Sequence, residues 1–200
     1  MTEAVRVYSL TPGEIDRREV LRYMGGREAD GELTALMEAC IDEARDAFSY
    51  RACAMETPIS IVGNRIDFGF TAVESRDLAK CLAGCESVLV LAATVGLGID
   101  RLIARYSRVS PARALCMQAI GTERVEALCD ALCAQVQAES GRSLRPRFSA
   151  GYGDLPLSLQ IEIFEGLNCA KHIGLTLCDS LLMSPTKSVT AIVGIAGNEE

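Results

Sequence analysis

The stretch of this chain richest in chemistry runs Arg145-Pro146-Arg147-Phe148-Ser149-Ala150-Gly151-Tyr152-Gly153-Asp154-Leu155-Pro156. It joins fixed cations to a backbone held open by Gly and Pro. The planar guanidinium of Arg147 suits a carboxylate, which it can grip through two parallel hydrogen bonds. Gly151 lets a ligand come close to the main chain. Tyr152 offers a flat ring and a hydroxyl donor. These are fitting parts for binding an amino-acid nucleotide. The same residues also read as an ordinary irregular loop, and their spacing alone does not decide between the two.

Other constellations are weaker. Nine cysteines, an odd number, argue against a disulfide framework. Cys81 with Cys85, and Cys129 with Cys133, would each share one face of a helix and so offer two thiolates to a metal. Cysteine also packs as a small hydrophobe, and with one His, His172, and no CxxC spacing, packing is the simpler reading. Glu162 and Glu165 fit a solvated helix face. No GxSxG or GxxxxGK[ST] motif is present. Gly96-Leu97-Gly98 follows an apolar run and could hold an anion at a helix start. It does not complete a dinucleotide fingerprint, so a tight turn is the simpler account.

Composition sets the frame for these residues. The chain has 200 residues, of which 49% are hydrophobic and none is Trp, enough for one domain with an aliphatic core. A net charge of −7 argues against nucleic-acid binding. Arg101, Arg105, Arg108 and Arg113 form a local basic cluster that reads as a solvated face or a docking patch. The start of the chain lacks the pattern of a signal peptide. The longest apolar run, Val88 to Val95, is too short to cross a bilayer. A cytoplasmic protein with no membrane partner is expected.

The elements that must position the chemistry follow from pattern. Thr11-Pro12-Gly13-Glu14 predicts a helix start, with the helix running to Tyr23 and ending at Gly25-Gly26. A second helix is expected from Gly31 to about Met55, broken by Pro58. Two short strands flank Gly63-Asn64-Arg65. Ser75 caps a short helix, and Glu86 to Thr94 reads as a buried strand followed by a helix over Ile99–Tyr106. Ser110-Pro111 opens a long helix to about Glu139, closed by Gly141. The stretch from Arg145 to Pro156 is expected to be irregular, then a helix over Leu157–Leu167 and strands around Leu181–Met183 and Val189–Ile195. The fold class is α+β, mainly antiparallel sheet with long helices. One unit over residues 1–200 is expected, with a helical N-terminal part (1–56) and an α+β core (57–200).

Three blocks, in order, carry a resemblance. Arg147-Phe148-Ser149-Ala150-Gly151-Tyr152 resembles the Arg-x-Ala-x-Gly-Tyr motif of the activation (reactivation) domain of cobalamin-dependent methionine synthase, with Ser149 at the Ala position. Ile173 to Leu177, Ser180, Met183-Ser184-Pro185 and Lys187 to Thr190 are similar to that domain's closing strands. Val125 to Val136 is similar to its long helix. The match covers the C-terminal part of the chain, and the N-terminal half looks like short free-standing members of the family.

The resemblance implies a module that binds S-adenosylmethionine and supports reductive methylation of cob(II)alamin. The cobalamin would be carried by a partner, a corrinoid-binding methionine synthase or related methyltransferase. A flavodoxin or other reductase would supply the electron. It also implies that Glu126, Arg147, Ser149, Gly151 and Tyr152 bind the ligand, with Arg147 at its carboxylate end. The family's N-terminal Asp and its Tyr beyond the last strands have no counterpart in the sequence, and Gly153 stands where the family has Pro. Those departures keep open an alternative, a non-catalytic module that docks to a corrinoid protein without binding S-adenosylmethionine.

Overall fold

The computed structural model describes residues 4–196. In chain order the elements are β1 (Arg6–Tyr8), α1 (Arg17–Tyr23), α2 (Gly31–Ala44), β2 (Arg51–Pro58), β3 (Ser60–Val62), β4 (Arg65–Asp67), β5 (Ala72–Glu74), α3 (Arg76–Cys81) and β6 (Cys85–Thr94). There follow α4 (Leu97–Tyr106), α5 (Pro111–Ser140), β7 (Leu144–Phe148), α6 (Leu159–Leu167), α7 (Cys169–Ile173), β8 (Thr176–Leu177), β9 (Met183–Ser184) and β10 (Ser188–Ala196). The expected α+β class holds, with one antiparallel sheet ordered β1-β2-β6-β10-β7.

Period-two alternation along the central strands divides the core into two layers. Leu89, Leu91 and Ala93 of β6, with Ala191 and Val193 of β10, face α1, α2, α4 and α5. Val88, Val90 and Ala92, with Ile192, face α3, α6 and α7. Both faces are covered, so β6 reads in sequence as an unbroken apolar run. The small sheet β3-β4-β5 closes the second layer through Ile66 and Phe68.

Several expectations are corrected. The first helix begins at Arg17, not at Thr11: Asp16 caps it, accepting from the N–H groups of Arg18 (2.8 Å) and Glu19 (3.3 Å). The carbonyls of Gly13 and Glu14 are instead taken by the buried Arg124 at 2.6 and 3.1 Å, which holds that segment out of helical conformation. The second helix stops at Ala44, and residues 51–58 form β2. Its alternating residues supply Ala52 and Ala54 to one layer and Cys53 and Met55 to the other beside β6, and this pairing overrides local helix preference. The division at residues 56/57 therefore falls inside a strand, and the segment before it contributes β1 and most of β2 to the sheet.

Gly98 has a packing role. A Cβ there would lie 2.0 Å from the Ala47 carbonyl oxygen, so the glycine lets α4 pack against residues 45–47.

Candidate functional site

Helix α5 supplies one wall of the site. Ser110-Pro111 opens it, Gly141 ends it in left-handed conformation (φ 67°), and it runs for 30 residues across the first layer. Glu126 and Asp130, one turn apart, project from it toward β7.

Strand β7 supplies the other wall. Its pairing with β10 aligns Phe148 with Ile192 and Arg147 with Val193, then shifts register so that Leu144 aligns with Ile195. The irregularity places both Leu144 and Arg147 on the α5 side, although they are three residues apart. The expected irregular stretch thus begins as an edge strand, and only residues after Phe148 form a loop.

Arg147 reaches across and donates to two carboxylates, through Nη2 to Glu126 Oε2 at 2.7 Å and through Nη1 to Asp130 Oδ1. Burial opposes the guanidinium charge, but the Asp130 hydrogen bond and the surrounding negative charge outweigh it and raise the pKa. Arg147 is 23% exposed, Glu126 38% and Asp130 70%, so the cluster opens to solvent on the Asp130 side. The cleft has a volume of about 660 Å³ and is lined by Glu126, Asp130, Cys133, Gln137, Arg147 and Ser149, among others. That volume lies within the ~300–1,000 Å³ of small-molecule sites.

Of the five sequence-derived site residues, the structure brings Glu126, Arg147 and Ser149 into this cleft. Gly151 and Tyr152 are outside its lining. The reason is strand alternation: Phe148 turns to the opposite layer, and Tyr152 follows it, stacking edge-on at 5.4 Å with its ring 70% exposed. Gly151 has φ 85° and its N–H donates to the Leu155 carbonyl at 3.0 Å, which folds the loop back.

Asp154 anchors that loop to the start of α3. It accepts from Ser75 Oγ (2.5 Å) and from the N–H groups of Arg76 (3.0 Å) and Asp77 (3.2 Å). The Ser75 bond, then the Arg76 N–H, hold its carboxyl down to about 2.

Sequence reasoning missed Asp130, although its position one turn beyond Glu126 on a helix was the available signal. It also missed a second cleft, about 500 Å³, on the other side of the same carboxylates. Glu14, Asp16, Glu19 and Tyr23 face Ala127, Ala131 and Ala134 there, and Glu126 and Asp130 line both clefts. The N-terminal segment is locked beside them by the buried pair Glu123–Arg124, to whose Glu123 Oε1 the Asp16 N–H also donates at 3.1 Å.

No cluster of three or more His, Cys, Asp or Glu fit to hold a metal occurs among the described residues. Burial pushes Cys129 up to about 12 and also raises Cys133, with Arg147 pulling the other way, so both remain thiols at neutral pH. Another cleft of about 660 Å³, between α6, α7 and β8, is walled largely by Ile161, Phe164, Leu175, Leu177 and Leu181. It has no cation in its lining to match Arg147. Among the described residues, no helix is long and apolar enough to cross a membrane.

No protein-family model matches the chain, and no curated protein matches it in sequence. Its fold is that of the MetH reactivation domain, known from a crystal structure bound to AdoHcy. The TM-score is 0.71 over 98% of this chain and 80% of that chain, at 15% sequence identity.

Proposed function

We propose that this chain binds S-adenosylmethionine in the α5–β7 cleft and acts in trans on a corrinoid protein, a cobalamin-dependent methionine synthase or related methyltransferase. The observation that carries the reading is the Arg147 clamp, a buried-stemmed guanidinium facing two carboxylates in a ligand-sized cleft. It sits in a fold shared with a domain that binds AdoHcy. The residues present fit the ligand by charge. Arg147 matches its carboxylate, and Glu126 with Asp130 match its ammonium and sulfonium. Ser149 offers main-chain contacts at the cleft end. The roles carried over to Gly151 and Tyr152 rest on the motif resemblance, and both stand just beyond the lining.

When bound, S-adenosylmethionine would supply a methyl group and leave as S-adenosylhomocysteine, while a flavodoxin or other reductase in the cytoplasm supplies one electron to the partner's cob(II)alamin. The chain's own residues hold and orient the donor, and proximity is their main contribution. The test is a mixture of cob(II)alamin-loaded partner, electron donor and S-adenosylmethionine, followed by the absorbance of methylcobalamin. Methylcobalamin should form only when the chain is added, and formation at an equal rate without it would refute the reading. One observation favours the docking-module alternative: Arg147 is already held by protein carboxylates. That alternative predicts binding to the corrinoid partner with no chain-dependent methylation.

A further inference from the structure

Arg147 is not waiting empty-handed, and the two carboxylates on it are not equivalent. Glu126 is 38% exposed and Asp130 is 70% exposed, at the solvent side of the clamp. Among the described residues, the Asp130 side chain makes no hydrogen bond or ion pair other than the one to Arg147. It also lines the clefts on both sides of the carboxylate pair.

A count of ion pairs shows what this arrangement selects. Before binding, Arg147 holds two pairs, one to Glu126 and one to Asp130; the Glu126 pair stays in place and the Asp130 pair is the one exchanged. A ligand bearing only a carboxylate can take Arg147 from Asp130, but it breaks one pair to make one, and gains nothing. A ligand bearing a carboxylate and an adjacent ammonium makes two pairs from one, because the displaced Asp130 takes the ammonium. We infer that Asp130 is a specificity residue: it guards Arg147 against simple carboxylates and admits the zwitterionic amino-acid end of an adenosyl ligand by exchanging partners with it. This inference rests on the ligand site assigned under the proposed function and adds the means of its selectivity.

S-Adenosylhomocysteine is the probe of choice, since it has the zwitterion but no sulfonium to attract the same carboxylates. Its deaminated analogue keeps the carboxylate and loses the ammonium. Calorimetric titration of the full chain should show the parent preferring S-adenosylhomocysteine by about three- to fivefold, the worth of one solvent-accessible ion pair. In Asp130→Asn the ratio of the two affinities should fall about three- to fivefold, toward one, because both ligands then meet Arg147 free of Asp130 and neither finds a carboxylate at that position. Asp130→Glu should retain the preference. A merely structural role would shift both ligands equally, and an unchanged ratio in Asp130→Asn would overturn the proposal. If the parent binds neither ligand, even with the corrinoid partner present, the site assignment itself fails and the selectivity argument falls with it. Asp130 is mostly exposed, so neither substitution threatens the fold.

Discussion

Two arginine–carboxylate clusters use carboxylates on neighbouring turns of α5, one with its arginine on the same helix and the other with its arginine on β7, and they differ chiefly in burial. Glu123 and Arg124 are 6% and 3% exposed, and their bonds are spent within the protein, on each other and on the N-terminal segment. Arg147, Glu126 and Asp130 use the same chemistry, but their cluster opens to a cleft and one member is mostly solvated. A buried ion pair is a poor partner for exchange, since removing either member strands a charge in low dielectric. An accessible pair holds its members weakly enough for a ligand to compete. The difference between structural cement and a receptor is therefore set by depth, at nearly constant composition.

The sharpest way to break this comparison is at the buried pair. Glu123→Ala should lower unfolding free energy by about 3–5 kcal/mol, since it strands Arg124 and frees the Asp16 N–H. Denaturant titration reads this directly. The double replacement Glu123→Leu with Arg124→Met should recover only part of the loss: no charge is left unpaired, but the Gly13 and Glu14 carbonyls lose their donor. At the open cluster the order reverses. Arg147→Ala should cost S-adenosylmethionine binding about thirtyfold, near 2 kcal/mol, while changing stability by less than about 1 kcal/mol. Glu126→Gln should weaken binding by about fivefold, read by the same calorimetry.

The smallest effect concerns the loop beyond the cleft. The folded carboxyl of Asp154 is lowered from 3.8 to about 2, so its anchoring of the loop to α3 is present above the ordinary carboxylate range. As pH falls toward 2 the anchoring is lost. The amide resonances of Arg76 and Asp77 should titrate with an apparent pKa near that low value, not near 3.8. Titration at the ordinary value would show that the anchor is not formed in solution.

Sequence made the frame of the site legible and left its details hidden, for identifiable reasons. The long helix was readable because Ser110-Pro111 and Gly141 are strong local signals at its two ends. Glu126 and Arg147 were legible as candidates because the motif resemblance named them. Asp130 was not, since an exposed helical acid looks like any solvated residue until the strand that carries Arg147 is placed opposite. The motif resemblance groups Tyr152 with Arg147, and it says nothing of strand alternation, which sends Phe148 to the other layer and leaves Tyr152 outside the cleft lining. Strand β2 was read as the end of a helix because Ala, Cys and Met have no strong strand signature, and its pairing with β6 is a tertiary fact. Thr11 yielded to Asp16 as the cap because Arg124, more than a hundred residues away in sequence, claims the carbonyls of Gly13 and Glu14.

The central claim is that the open cluster on α5 receives an adenosyl amino acid through Arg147. Its most direct test is calorimetric titration of S-adenosylmethionine into the parent chain and into Arg147→Ala, each alone and with a cobalamin-loaded partner. The account predicts binding by the parent in at least one setting and binding about thirtyfold weaker in the variant, with the fold unchanged. Equal binding by both proteins, or none by the parent even with the partner present, would contradict it.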